Sequence, residues 1–383
     1  MPKLFPRPQK LICTAFLLFA AAAASAQQYY LFAGSYNQNK GQEGIYIYHF
    51  NPDNGTLKKS SSITDVVNPS YLNTSTDGRF VYAATESRIP GGGTVSAYRF
   101  DSIQGKLAFI NSQSSFGENP VYVMADKANK WLVNANYTGG SLCIHPLLPD
   151  GSIGETAQPI KINHKSTLPR QEASHVHSIG FSPDKQYVYA PDLGANKIWW
   201  YHLGSGIAPL TPNAPEATLA ATHAGPRHFE FHPNGKFGYC VEEISGNVVA
   251  YKYADGKLDS MQTIAAHNAS GLEDYGGADI HFSPDGRFLY VSTRGDENII
   301  VIYKADARSG LLTRISSVSS GGNHPRNFVI DPTGNYLLVA HQMSNDLIIF
   351  RRNKTTGMLT KTGKVSGITA PSCLKIRAYN VKP

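Results

Sequence analysis

The sequence predicts an all-β fold: a seven-bladed β-propeller with four-stranded blades, its ring closed where N- and C-terminal strands share one blade. Three observations predict it: a composition suited to short strands and tight turns, a unit of about fifty residues repeated along the chain, and a part-unit left over at each end. The 383 residues are 41% hydrophobic and 16% charged, with 35 Gly, 23 Pro and 21 Tyr, a balance that argues against disorder and favours many strands over long helices. Length alone permits one large domain or two ordinary ones. The repeat decides for a single domain over residues 27–383.

The N-terminus is read separately. Lys3, Arg7 and Lys10 precede an apolar run from Leu11 to Ala24, and Ala24-Ser25-Ala26 offers a small-residue cleavage site, the pattern of a signal peptide over residues 1–26. The run is too short and Ala-rich for a membrane span, and no later stretch reaches the roughly 20 apolar residues a span needs. The mature protein is therefore expected to be exported, to the periplasm, with no membrane span. Removal of the leader takes the net charge from +7 to +4. No Lys/Arg run is interleaved with aromatics, so nucleic acid is not an expected partner. Cys143, Cys240 and Cys373 each sit in an apolar, strand-like setting and are expected to be buried free thiols; no CxxC spacing suggests zinc.

The repeat is clearest in Phe181-Ser182-Pro183-Asp184, Phe231-His232-Pro233-Asn234-Gly235, Phe282-Ser283-Pro284-Asp285-Gly286 and Ile330-Asp331-Pro332-Thr333-Gly334, whose prolines are spaced by 50, 51 and 48 residues. Weaker copies lie at Ser75-Thr76-Asp77-Gly78 and Ala125-Asp126-Lys127-Ala128. An apolar run, a turn of this chemistry and a β-branched or aromatic run make a hairpin. A third strand such as Asn247–Tyr253 follows, then a turn at Asp255-Gly256 and a fourth strand. Four strands per period is a propeller blade. Six units fill residues 70–368. The N-terminal piece, Tyr29 to Thr64, and the segment around Cys373 to Ala378 make the seventh, and closing the ring removes the edges that an open array would expose.

The repeat also places side chains. If the turn is centred two residues after the reference proline, positions −6 and +10 are cross-strand neighbours. Position −6 holds Ser70, Pro120, His177, Arg227, Ala278 and Arg326; position +10 holds Glu86, Asn136, Leu193, Glu243, Arg294 and Gln342. With the first two strands of each blade lining the channel, both sets fall on one rim, opposite the turns. Arg227 is expected to face Glu243, which taken alone reads as a salt bridge fixing a hairpin end. Three arginines, a histidine and an acid on one rim ask for more, because clustered cations repel unless an anion sits among them.

Such a set suits a lactone. Glu243 or His177 can move a proton to or from water, and Arg227 and Arg294 can hold a developing oxyanion or a substrate carboxylate or phosphate. No G-x-S-x-G motif offers a nucleophilic serine, which argues against a covalent acyl intermediate. His175-Val176-His177 places two imidazoles on one strand face, but no further ligands join them at matching register and arginines would repel a cation, so no metal is assigned. No cofactor is assigned either. His228, His232 and His281 read as packed or hydrogen-bonded between blades. Asp279 reads as orienting a neighbour and, with Arg326 and His175, as a substrate contact. Strand alternation allows only one of Glu242 and Glu243 to face the channel, and the +10 position favours Glu243.

The segments His177-Ser178 before Phe181-Ser182-Pro183-Asp184, Gly225-Pro226-Arg227-His228, Tyr239-Cys240-Val241-Glu242-Glu243 and Ala278-Asp279-Ile280-His281 leading to Arg294 resemble the seven-bladed propeller lactonases, a family that includes 6-phosphogluconolactonases of the propeller type and carboxy-cis,cis-muconate cyclases. The likeness runs over nearly all of the mature chain. It implies a hydrolase opening a sugar-acid lactone, like a 6-phosphogluconolactonase, with His177, Glu243, Arg227 and Arg294 as the catalytic set and a small, anionic lactone as partner. Two other readings stay open at this stage: a cyclase or isomerase of related lactone chemistry, and a non-catalytic envelope propeller that binds an anionic ligand or a protein.

Overall fold

The computed structural model describes residues 1–3 and 26–381 apart from positions 88, 90, 156, 157 and 165. The leader expected over residues 1–26 lies almost wholly outside the described residues. Those residues form 28 strands in seven four-stranded antiparallel sheets. Six blades are continuous in sequence. In the seventh, the C-terminal strand Pro371–Val381 pairs with Ala26–Ser35, which pairs in turn with Ile45–Phe50 and then Leu57–Ile63. The expected ring closure is what the structure shows. No helix is long and apolar enough to cross a membrane among the described residues.

Sequence and packing agree along each blade. The second strand Phe237–Glu242 is buried throughout, whereas the outermost strand Lys257–Ala265 is largely open to solvent. Alternate residues of the second strand serve opposite faces. Tyr239 and Val241 pack with Ile280 and Phe282 of the next blade, while Cys240 packs with Trp200 and Phe229 on the other side. Cys143, Cys240 and Cys373 are all buried free thiols.

The repeated turn explains its own composition. The Ser283 hydroxyl donates to Asp285 Oδ1 at 2.6 Å and accepts from the Phe288 amide at 3.1 Å, and Gly286 sits at φ +69°, where a side chain is strained. A second contact ties neighbouring blades. Tyr239 donates its hydroxyl to the Gly310 carbonyl at 2.7 Å, and Tyr290 does the same to Gly357 at 2.7 Å, so an aromatic of one blade grips the outer turn of the next.

Two details of the sequence-based register are corrected. The sheet order puts the first strand of each repeat innermost, with the second behind it, so only one strand per blade lines the axis. The turn centre also lies half a residue earlier than assumed. Pro226 pairs with Glu242 and His228 with Val241, which leaves Arg227 on a bulge and Glu243 just past the strand end. The same irregularity follows Pro69, Pro120 and Pro325. A bulge re-aims the side chain that it carries, so Arg227 reaches Glu243 without being its pairing partner.

Candidate active site

Four blades and one long connection build the rim. His177 lies on the irregular approach to the short strand Gly180–Phe181, held by its amide donating to the Pro191 carbonyl at 3.0 Å. Arg227 stands on the bulge of the next blade, and Glu243 follows the end of that blade's second strand, its amide donating to the Gly225 carbonyl at 2.7 Å. Arg294 occupies the equivalent place one blade on, its amide bonded to the Gly276 carbonyl at 2.9 Å. All four side chains are buried.

Glu243 is the hub. Its Oε2 accepts from Arg227 Nε at 2.8 Å and lies 2.9 Å from Arg294 Nη2 and 3.9 Å from His177 Nε2. Its Oε1 accepts from Arg170 Nη2 at 2.5 Å. Burial works against the ionised form, but Arg294, then Arg227, His177 and Arg170, hold the carboxyl well below the usual carboxylate range. Glu242 points elsewhere: its Oε2 accepts from the Ser245 hydroxyl at 2.6 Å, and burial pushes its carboxyl up to about 7.

His177 has no such partner. It faces Glu243 across 3.9 Å without a hydrogen bond, and its buried Nδ1 is unpartnered among the described residues. Burial, and after it Arg227, push its pKa well below the ordinary imidazole value, so the ring is neutral near pH 7. Tyr137 meets this ring edge-on at 5.3 Å and stacks on His175 at 4.5 Å. His175 is tied to the Tyr137 carbonyl at 3.1 Å, so the two histidines of the His175-Val176-His177 segment have different partners.

Asp279 lies beneath the rim rather than on it. Its Oδ1 is 2.7 Å from His228 Nδ1; its Oδ2 meets His281 Nε2 at 3.1 Å, Asn327 Nδ2 at 2.5 Å and the Phe328 amide at 3.1 Å. Both oxygens are bonded and the side chain is fully buried, so Asp279 orients His228 from within the wall. Arg326 does stand at the mouth, its guanidinium 5.4 Å from the Tyr36 ring centre, with no ion pair to a carboxylate among the described residues. Tyr36 in turn donates to Glu86 at 2.6 Å.

Sequence reasoning missed Arg170, His324, Tyr36 and Tyr137. Arg170 sits on the connection between the second and third blades, outside any repeat offset. His324 lies 3.5 Å from Arg294 Nη1, and burial together with Arg294 lowers its pKa to about 3. Tyr137 holds the place of Glu86, Glu243 and Arg294, its amide bonded to the Asn119 carbonyl, so a reference set one residue later in the Ala125–Lys130 copy would have put Tyr137 rather than Asn136 at +10; His324 stands two residues before the −6 position. Among the described residues no group of three or more His, Cys, Asp or Glu side chains could hold a metal ion. A cluster of guanidinium groups around one carboxylate and a neutral imidazole can bind an anion, stabilise an oxyanion and move a proton.

The family model described as Lactonase, 7-bladed beta-propeller matches residues 30–376. The chain is 35% identical over 353 residues to a 6-phosphogluconolactonase of Formosa agariphila, covering 91% of this chain and all of that one. It is 33% identical over 350 residues to a 6-phosphogluconolactonase of Bacillus subtilis, covering 91% and 98%. The solved periplasmic gluconolactonase of Pseudomonas aeruginosa matches with a TM-score of 0.86 at 33% identity, covering 91% of this chain and 99% of that one.

Proposed function

The chain belongs to the seven-bladed β-propeller lactonases, lactone-hydrolysing carboxylic ester hydrolases, and from that premise we propose that its substrate is a gluconolactone-type sugar-acid lactone bound at the Glu243 rim. The observation that carries the assignment of the site is the convergence of Arg227, Arg294 and His177 on one buried carboxylate, with distances of 2.8, 2.9 and 3.9 Å.

In this reading water attacks the lactone carbonyl carbon. His177 takes the water proton, and the carbonyl oxygen becomes an oxyanion between Arg227 and Arg294. Collapse breaks the ring carbon–oxygen bond, and the proton passes from His177 to the departing ring oxygen, giving the open hydroxy acid. His177 is a weak base at rest because burial, and after it Arg227, depress it. The oxyanion offsets their field, so the imidazole gains proton affinity as the charge forms, with Glu243 beside it to balance the imidazolium. Glu243 acts as the electrostatic partner rather than the base, since three guanidinium groups already occupy its oxygens.

Export to the periplasm belongs to the same proposal. It is supported by the leader pattern over residues 1–26 and by the similarity to a periplasmic gluconolactonase.

The test is hydrolysis of glucono-1,5-lactone and its 6-phosphate by the mature protein, corrected for the spontaneous rate. Arg294→Ala is expected to lower kcat by about 10²–10³, the usual cost of an oxyanion donor. Hydrolysis no faster than the spontaneous rate on both lactones would remove the substrate assignment, and an undiminished Arg294→Ala variant would remove the site.

A further inference from the structure

Three arginines share Glu243, and they are not equivalent. The side chains of Arg227 and Arg294 are 1% and 9% exposed, anchored in the blade walls; that of Arg170 is 41% exposed. Arg227 and Arg294 both bind Oε2, whereas among the described residues Oε1 accepts its hydrogen bond from Arg170. The other end of the Arg170 guanidinium binds Asp274, on the loop before the strand Gly277–Phe282. Arg170 thus ties two loops across the mouth and caps the one carboxylate oxygen that the walls leave free. Nearby, Arg326 has no carboxylate ion pair among the described residues. Four guanidinium groups therefore meet at a mouth where one buried carboxylate is central, and like charges so gathered favour an added anion.

We infer that Arg170 is a specificity-determining residue. It exchanges Glu243 Oε1 for an anionic substituent of the lactone, a phosphate or carboxylate, and so favours charged over neutral lactones. The exchange is between equivalents: one ion pair breaks as another forms, and no bond to carbon is involved. Arg170 is the partner suited to it, because its guanidinium is the most exposed of the three, and Oε2 keeps both of its buried pairs, which are costly to break, when Oε1 is released. Once bare, Oε1 can accept a hydroxyl hydrogen of the sugar. A guanidinium holds a phosphate through two parallel N–H donors, which an ammonium cannot do.

The inference rests on the lactonase reading, and two measurements separate the failure of one from the other. The first is the ratio of kcat/KM for the 6-phosphate of glucono-1,5-lactone to that for glucono-1,5-lactone itself, in wild type, Arg170→Ala and Arg170→Lys. The ratio should fall at least tenfold in Arg170→Ala, mainly through KM of the phosphorylated substrate, and recover in part in Arg170→Lys. An unchanged ratio overturns the inference even if both rates drop, because a merely structural role lowers both alike. The second is calorimetric binding of 6-phosphogluconate, which needs no turnover. Its Kd should rise at least tenfold in Arg170→Ala, and an unchanged Kd overturns the inference. If wild type accelerates neither lactone, the substrate assignment fails while the calorimetry still decides the role of Arg170.

Discussion

His228 Nδ1 and Asp279 Oδ1 stand 2.7 Å apart beneath the rim, and this contact fixes which nitrogen of His228 carries the proton. Arg227 Nη1, which can only donate, lies 3.2 Å from His228 Nε2, so Nε2 accepts and Nδ1 bears the hydrogen given to Asp279. The neutral ring agrees with a pKa pushed down to about 3 by burial and then by Arg227. Asp279 thereby reaches the active arginine through one imidazole.

Asp279→Asn is expected to destabilise the fold by about 3–5 kcal/mol, the usual cost of removing one partner from a buried ionic network. The amide cannot be oriented well. Either its oxygen replaces Oδ1 and its NH₂ confronts donors from His281, Asn327 and Phe328, or it turns over and confronts His228. Urea unfolding at pH 7 checks this; a loss below 1 kcal/mol would contradict the network.

His281 gives a pH signature. It lies between Asp279 at 3.1 Å and Glu230 at 2.6 Å, and its pKa is raised to about 10 because Asp279 and Glu230 outweigh the burial that would lower it. A raised folded-state pKa contributes stability that is fully present below the unfolded value near 6.5 and is lost as pH rises through about 10. The stability difference between wild type and His281→Gln should therefore shrink from pH 6.5 to pH 10. Denaturation of both across that window tests it, and a difference independent of pH would show that His281 is not charged in the fold.

The fold was legible because each blade repeats its own turn, and the turn residues have local reasons: Ser283, Asp285 and Gly286 satisfy the hairpin end by themselves. Arg227, Glu243, Arg294 and His177 were legible because the repeat acts as a ruler. The ruler erred by the bulge at Arg227, which follows Pro226 as the same irregularity follows Pro69, Pro120 and Pro325, yet bulge and strand end moved together and the side chains still met. Asp279 was legible as orienting a neighbour, which its contact with His228 matches, but its place beneath the rim was not, since its partners Asn327 and Phe328 come from the following blade. Arg170 could not be ruled in at all. Its position depends on how a connection between blades folds back over the mouth, which periodicity does not encode.

Gly310→Ala tests the packing between blades without touching the rim. A Cβ at this residue would lie 2.4 Å from Phe237 Cδ1, and the backbone is at φ +76°. Overpacking of this kind costs about 1–3 kcal/mol. Phe237 begins the strand that ends beside Glu243, so the strain falls at the far end of the blade. The expected result is a lower unfolding midpoint with KM unchanged, read by urea denaturation and steady-state kinetics on the same preparation.

The proton-transfer role given to His177 makes the sharpest kinetic prediction. An ordinary imidazole base would lose activity as pH falls through 6.5, about tenfold per unit below that. His177 is held well below this value by burial and Arg227, so it stays neutral through that range. On glucono-1,5-lactone, which has no phosphate to titrate, kcat/KM above the spontaneous rate should stay flat from pH 8 to pH 6. His177→Gln, which keeps a polar group in place but cannot shuttle the proton, should lower kcat by about 10²–10⁴ at every pH in that interval. A wild-type profile bending near pH 6.5 would mean that the resting imidazole is solvated and unperturbed. The burial and the field of Arg227 that hold the ring down would then be absent in solution.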